Sequence, residues 1–237
     1  MTYEQWLELA RREPRVLGVV LTGSRGREAL VTERSDWDLR VIVRDGEDPY
    51  ARSLETAHGT EVEVAATTVS GLRDWPAWDR YSLTHAQVPV DKLDGEIARV
   101  VVAKGTLADD EARELARDML RAYTNSLYRS VRDAQLGLDL EAQLDACESI
   151  PPLLTALFAM ERRVRPFNKY LRWELAAHPL ADWETEELLT SIETALTGAL
   201  TAQHSLFRAA EQRIRSRGYG DVVDDWAPHV ELLRGPR

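Results

Sequence analysis

A chain of 237 residues, 44% hydrophobic and 30% charged, can bury a real core and suits one large domain or two small ones. No apolar run approaches the ~20 residues of a membrane helix, and a formal net charge of −10 argues against a broad footprint on a nucleic-acid backbone. The single cysteine, Cys147, excludes an internal disulfide and fits a reducing cytoplasm.

The opening stretch mixes acids and bases without an apolar signal core, so export is not expected. Trp6, Leu7, Leu9 and Ala10 predict an amphipathic helix that ends before Pro14. The run Val16-Leu17-Gly18-Val19-Val20-Leu21 reads as a buried strand that breaks at Thr22-Gly23-Ser24. Gly26 suits a short helix opening at that turn, and Arg25 and Arg27 are either phosphate contacts or solvated side chains. A second strand then runs from Asp36 to Val43. Strand side chains alternate, so Asp36 and Asp38 share a face, about 6.6 Å apart along the chain at ~3.3 Å per residue. Two carboxylates side by side on a buried strand repel each other and are costly to desolvate. A divalent cation removes both costs, and Mg²⁺ typically takes one or two carboxylates and completes its shell with phosphate oxygens. Backbone N–H groups and a hydroxyl at Gly23-Ser24 are suited to hold those phosphates. Asp48-Pro49 to His58 predicts a helix with Gly59 as its stop. Thr60 to Val69 predicts a third strand, with Glu61 and Glu63 on one face and Val62 and Val64 on the other.

Gly23-Ser24, followed at a fixed distance by Ser35-Asp36 and Asp38 between two apolar strands, resembles the nucleotidyltransferase signature of the polymerase-β-like superfamily. The layout is most similar to aminoglycoside nucleotidyltransferase-like proteins. The resemblance implies an α+β architecture: an N-terminal nucleotidyltransferase domain with a mixed sheet over 1–106, then an all-helical domain over 107–237. It implies Asp36 and Asp38 as ligands of one or two Mg²⁺ ions. Gly23, Ser24, Arg25 and Ser35 would lie on the side of ATP or another nucleoside triphosphate. Superfamily members carry a third carboxylate on the next strand, and the Val62-Glu63-Val64 context selects Glu63 over Glu61, as metal ligand, general base or both.

Farther along, GLRDWPAWDRYSLTHA predicts one or two short helices, QVPVD a strand, and LDGEIARVVVAKG a helix ending at Gly105. Tyr81, His85 and Asp91 are close enough in sequence to form a site, yet His58 and His85 lack ligand spacing and no Cys/His cluster exists, so zinc is not expected. Thr106-Leu107-Ala108-Asp109 reads as a helix cap. From there the chain reads as helical. A long helix ends at Gly137, with Asn125, Tyr128, Arg129 and Arg132 as a polar stripe. Helices are then predicted near 139–149, 150–163, 168–178, 182–200, 202–217 and 221–233, with Ser149 capping the second. Aromatic and basic residues are dense at 165–173. The resemblance implies a lysine of the helical domain on the triphosphate, and Lys169 fits that role.

The implied partner is a small hydroxylated acceptor in a cleft between the domains. The acidic charge favours a cationic, aminoglycoside-like one. No nucleic acid or membrane partner is expected. Nucleotide transfer onto a protein, as in antitoxin relatives, and a non-catalytic nucleotide sensor are the alternative readings.

Overall fold

Period-two apolar patterning over four segments produces a mixed four-stranded sheet in this computed structural model, which describes residues 1–236. The strands are β1 (Val16–Leu21), β2 (Trp37–Val43), β3 (Val62–Thr68) and β4 (Gln87–Asp91), in spatial order β3-β2-β1-β4. β1 is antiparallel to β2 and β4, whereas β2 and β3 run parallel. Five helices accompany the strands: α1 (Tyr3–Arg12), α2 (Gly23–Gly26), α3 (Asp48–Leu54), α4 (Val69–Arg73) and α5 (Glu96–Lys104), with a 3₁₀ helix at Ala77–Leu83.

Alternation along the strands sorts their side chains between two cores. Leu39, Val41, Val43, Val62 and Val64 join Trp6, Leu7 and Ala10 of α1 and Ala51 of α3. Val20 and Ile42 join Leu72 of α4, Leu83, and Ile97 and Val101 of α5 on the other face. Along β2, Asp38 and Arg40 therefore share the face of Ile42.

The rest of the chain is helical: α6 (Asp109–Gln135), α7 (Asp139–Ala159), a 3₁₀ turn at Asn168–Tyr170, α8 (Leu171–Ala177), α9 (Thr185–Ala195), α10 (Leu200–Ser216), α11 (Gly220–Asp224) and α12 (Val230–Arg234). The architecture is α+β, a mixed sheet followed by a helical region. Contacts divide the chain into two compact units. Met1–Leu107 with Pro166–Trp173 forms one, and Ala108–Arg165 with Glu174–Arg237 forms the other. No helix among the described residues is long and apolar enough to cross a membrane.

Several helix boundaries depart from the sequence expectation. α3 stops at Leu54 rather than His58 because Thr56 is taken up by β3: its N–H donates to the Val64 carbonyl (3.1 Å) and its Oγ accepts from the Val64 N–H (2.8 Å). The two helices expected over 139–163 are one, α7, which runs through Pro151 and Pro152. Ser149 does not cap a helix; its hydroxyl donates back to the Ala146 carbonyl at 2.7 Å. Thr106 likewise caps nothing, as its hydroxyl bonds the Val102 carbonyl, and Glu111 instead accepts from the Ala108 N–H. The helix expected over 182–200 is shortened to α9 by Gly198 at φ +80°. Pro228, which lacks an N–H, separates α11 from α12.

The polar stripe on α6 is a packing feature of the helical unit. Arg129 pairs with Asp145 (2.7 Å) and Glu148 (3.1 Å) of α7, and Tyr128 lies against Trp226 and His229.

Candidate metal centre

The site begins where β1 gives out. Beyond Leu21 the ladder continues for one residue: the Thr22 N–H and hydroxyl both donate to the Asp38 carbonyl, at 2.9 and 3.3 Å. This fixes the following turn beside the polar end of β2. On the other side, the parallel register pairs Trp37 with Val62, Asp38 with Glu63 and Leu39 with Val64. Paired residues of adjacent strands point to the same face, so Glu63 joins Asp38 and Asp36. Carboxylate oxygens of Asp36, Asp38 and Glu63 lie within 4.8 Å of one another. Glu61 precedes β3 and is exposed; its carbonyl accepts from the Trp37 N–H.

The three acids stand in different environments. Burial raises the Asp38 carboxyl above its usual range, and the neighbouring charges of Asp36 and Glu63 push the same way. Glu63 is held below its usual range, first by the Gly59 N–H donated to Oε1 (2.5 Å) and then by His58, whose Nδ1 lies 3.1 Å from Oε2. Among the described residues no lysine or arginine pairs with Asp36 or Asp38. Arg40 approaches from the same face, its Nε buried and without an acceptor. A recess of about 70 Å³ is lined by Asp38, Arg40, Thr56, His58, Glu63 and Ala65. Three converging carboxylates, with Arg40 and Arg27 acting on Asp38 only through space, are an all-oxygen donor set of the kind that suits Mg²⁺, a hard cation. The residues present fit such an ion.

The turn is built around the same carboxylate. Gly23 takes φ +64°, and a β-carbon there would strike Asp38 Oδ2; one on Gly26 would lie 2.3 Å from the Leu21 carbonyl oxygen. Both positions need glycine for close approach. Ser24 is buried, and its hydroxyl has no hydrogen-bond partner among the described residues. Arg25 acts as a brace: Nε donates to the Ser35 carbonyl (2.9 Å), and the guanidinium lies 4.4 Å from the Trp37 ring, which stacks on Tyr3. The Ser35 hydroxyl accepts from the Thr32 N–H (2.9 Å), a loop contact. Arg27 is neither solvated nor presented to solvent as a phosphate contact. It is buried, and it donates to the carbonyls of Gly23 and Tyr81.

The expected Lys169 is exposed, on the short 3₁₀ turn, with Nζ 5.2 Å from the Tyr170 ring centre. Its segment, Pro166–Trp173, groups with the sheet-bearing unit and not with the helices that flank it in sequence. Tyr81, His85 and Asp91 do not form a site. Tyr81 is buried beside Phe167 and Tyr170, His85 meets Trp173 edge-on, and Asp91 accepts from the N–H groups of Leu93 and Ala98 at the start of α5. Two site residues went unread in the sequence. Arg40 was accessible, since the alternation that pairs Asp36 with Asp38 also places residue 40 on their face. His58 had no local signal, because it meets Glu63 only through the bend before β3.

No protein-family model matches the chain, and no curated protein does. Among solved structures, the chain is similar to a nucleotidyltransferase-like protein from Exiguobacterium sibiricum 255-15. Identity is 14%, with 94% of this chain and 78% of the other covered, at a TM-score of 0.48. A likeness at that level bears on neither activity nor substrate.

Proposed function

We propose that this chain is a divalent-metal-dependent nucleotidyltransferase that moves a nucleoside monophosphate, AMP from ATP, onto a hydroxyl of a small acceptor, with pyrophosphate leaving. The observation that carries this reading is the convergence of Asp36, Asp38 and Glu63 from two parallel strands beside a glycine turn. Asp36 and Asp38 would hold Mg²⁺, with Glu63 as the third ligand. When bound, the metal supplies charge neutralisation on the triphosphate and acidifies an attacking hydroxyl.

The chain's own groups have separable tasks. The unengaged Ser24 hydroxyl and the backbone of its turn would hold phosphate oxygens. Arg25 and Ser35 support that turn from behind. Glu63, with both carboxylate oxygens engaged by Gly59 and His58, is kept ionised and fixed, which favours a ligand's role over a proton acceptor's. The net charge of −10 supports a cationic acceptor of the aminoglycoside type, since an acidic protein attracts and captures positive charge.

The test is pyrophosphate release from ATP and Mg²⁺ against a panel of aminoglycosides, lincosamides and neutral sugars at two salt levels. A cationic acceptor should show a KM that rises with ionic strength, as screening shortens the reach of charge to ~8 Å at physiological salt. A salt-indifferent preference for neutral acceptors removes the cationic substrate. Metal-independent turnover removes this reading, and no turnover with the panel together with no labelling of a co-expressed protein removes the nucleotidyltransferase.

A further inference from the structure

Arg27 is only 6% exposed, and a guanidinium this deep requires partners for its donors and its face. Nη1 donates to the Gly23 carbonyl at 2.8 Å, and Nη2 to the Tyr81 carbonyl at 3.0 Å. The guanidinium carbon lies 4.3 Å from the Tyr170 ring centre and 4.8 Å from that of Tyr81. Its Nε is buried without an acceptor; no carboxylate among the described residues bonds to it directly, and Asp38 acts on it only through space. A buried cation bonded only to carbonyls and ring faces, with its nearest opposite charge not in contact, is costly to keep. Its position needs a reason beyond packing.

That reason is connectivity. Gly23 belongs to the turn beside Asp38, whereas Tyr170 belongs to a segment that returns to the sheet-bearing unit after a long helical excursion. Arg27 touches both at once. A planar fork donates to the turn within its plane and offers its face to the tyrosine, which a lysine ammonium cannot do. Lys169 precedes Tyr170 directly and shares its short 3₁₀ turn, so fixing the tyrosine ring fixes the backbone that carries the lysine.

We propose that Arg27 is a positioning residue of the nucleotide site, locking the segment Pro166–Trp173, with Lys169 on it, to the Gly23-Ser24 turn. The functional half rests on the nucleotidyltransferase reading, which takes the turn and Lys169 as contacts of the triphosphate. The mechanical half does not.

Hydrogen–deuterium exchange and calorimetry on the full chain test the two halves, using Arg27→Lys, Tyr170→Leu and their double variant. Tyr170→Leu keeps an apolar group in the buried position and leaves the Arg27 bonds to the turn in place, so it carries the test if Arg27→Lys does not fold. Each single variant should speed amide exchange at 166–173 while β1 and β2 stay protected. Each should weaken ATP binding about tenfold, with adenosine affinity changed less than about twofold. The double variant should be no worse than the weaker single, because both changes break one link. Unchanged exchange at 166–173 overturns the link. Equal losses for ATP and adenosine, or additive effects, reduce Arg27 to a packing residue. A wild-type chain that binds no ATP overturns the nucleotide reading together with this role. Wild-type ATP binding that the variants leave intact overturns the role of Arg27 alone.

Discussion

A β-carbon on Gly23 would stand 1.8 Å from Oδ2 of Asp38. The Asp38 carboxylate therefore fills the space a side chain at residue 23 would need, and a larger residue in the turn must displace it. Gly23→Ala adds this clash to a left-handed φ that costs an L-residue about 1–2 kcal/mol. The melting temperature should fall by about 4–8 °C for a loss near 2 kcal/mol, and pyrophosphate release should drop as far as it does on removing the Asp38 charge. Thermal melts and the release assay on the purified variant check both. Retained turnover would mean that the carboxylate is not held against the turn as described.

Asp38→Asn separates the metal's needs from those of the fold. It removes a charge that burial and two neighbouring carboxylates already disfavour, so the metal-free protein should gain stability. A relief of about 1 kcal/mol raises the melting temperature by about 2–4 °C. Turnover should fall at least about a hundredfold, since several kcal/mol of charge stabilisation depend on the ion. Stabilisation of the wild type by added Mg²⁺ should vanish in the variant. Near-normal transfer by Asp38→Asn would place the chemistry elsewhere.

Lys169 is exposed and directly precedes Tyr170, whose ring faces the Arg27 guanidinium. A lysine that reaches outer phosphates cannot contact what a monophosphate lacks. Lys169→Ala should weaken ATP binding by about tenfold and leave AMP binding nearly unchanged, with no shift in melting temperature. Calorimetric titration with the two nucleotides distinguishes this from a side chain that only covers Tyr170, for which both affinities would hold.

An ion-pair cluster in the helical unit ties its stability to pH. Glu211, 7% exposed, accepts from Arg234 Nε and Arg215 Nε, each at 2.9 Å. Chiefly through Arg234, its carboxyl is held below the ordinary 4.5. A depressed folded-state value means that the unfolded chain takes up the proton first as pH falls. The contribution is therefore complete above pH 4.5 and is lost as pH drops through the folded-state value. Glu211→Gln should cost about 2 kcal/mol at pH 7, and the gap to wild type should close below pH 4.5. Urea denaturation of both proteins across that range measures it; a gap independent of pH would assign the loss to packing.

What could be read from sequence was what local spacing controls. The apolar run of β1, the Asp36–Asp38 alternation, the break at Gly23 and the amphipathic length of α6 all follow from periods of two or about 3.6 residues. Those patterns sufficed for the strands, the long helices and two of the three carboxylates, and the resemblance they carry implied the α+β architecture. The third, Glu63, was chosen over Glu61 by likeness of context, and its place beside Asp38 follows from the parallel register of β2 and β3. A one-residue slip in that register would have turned Glu63 to the opposite face. Nothing local marks Arg27 as buried, because its carbonyl and ring partners at 81 and 170 are brought to it by the fold. The return of Pro166–Trp173 to the sheet-bearing unit was equally unreadable: a break before Pro166 marks a gap between helices, but no local period says which unit the next segment packs against. Spacing along the chain specifies which face a side chain takes; pairing between distant segments decides what meets it there.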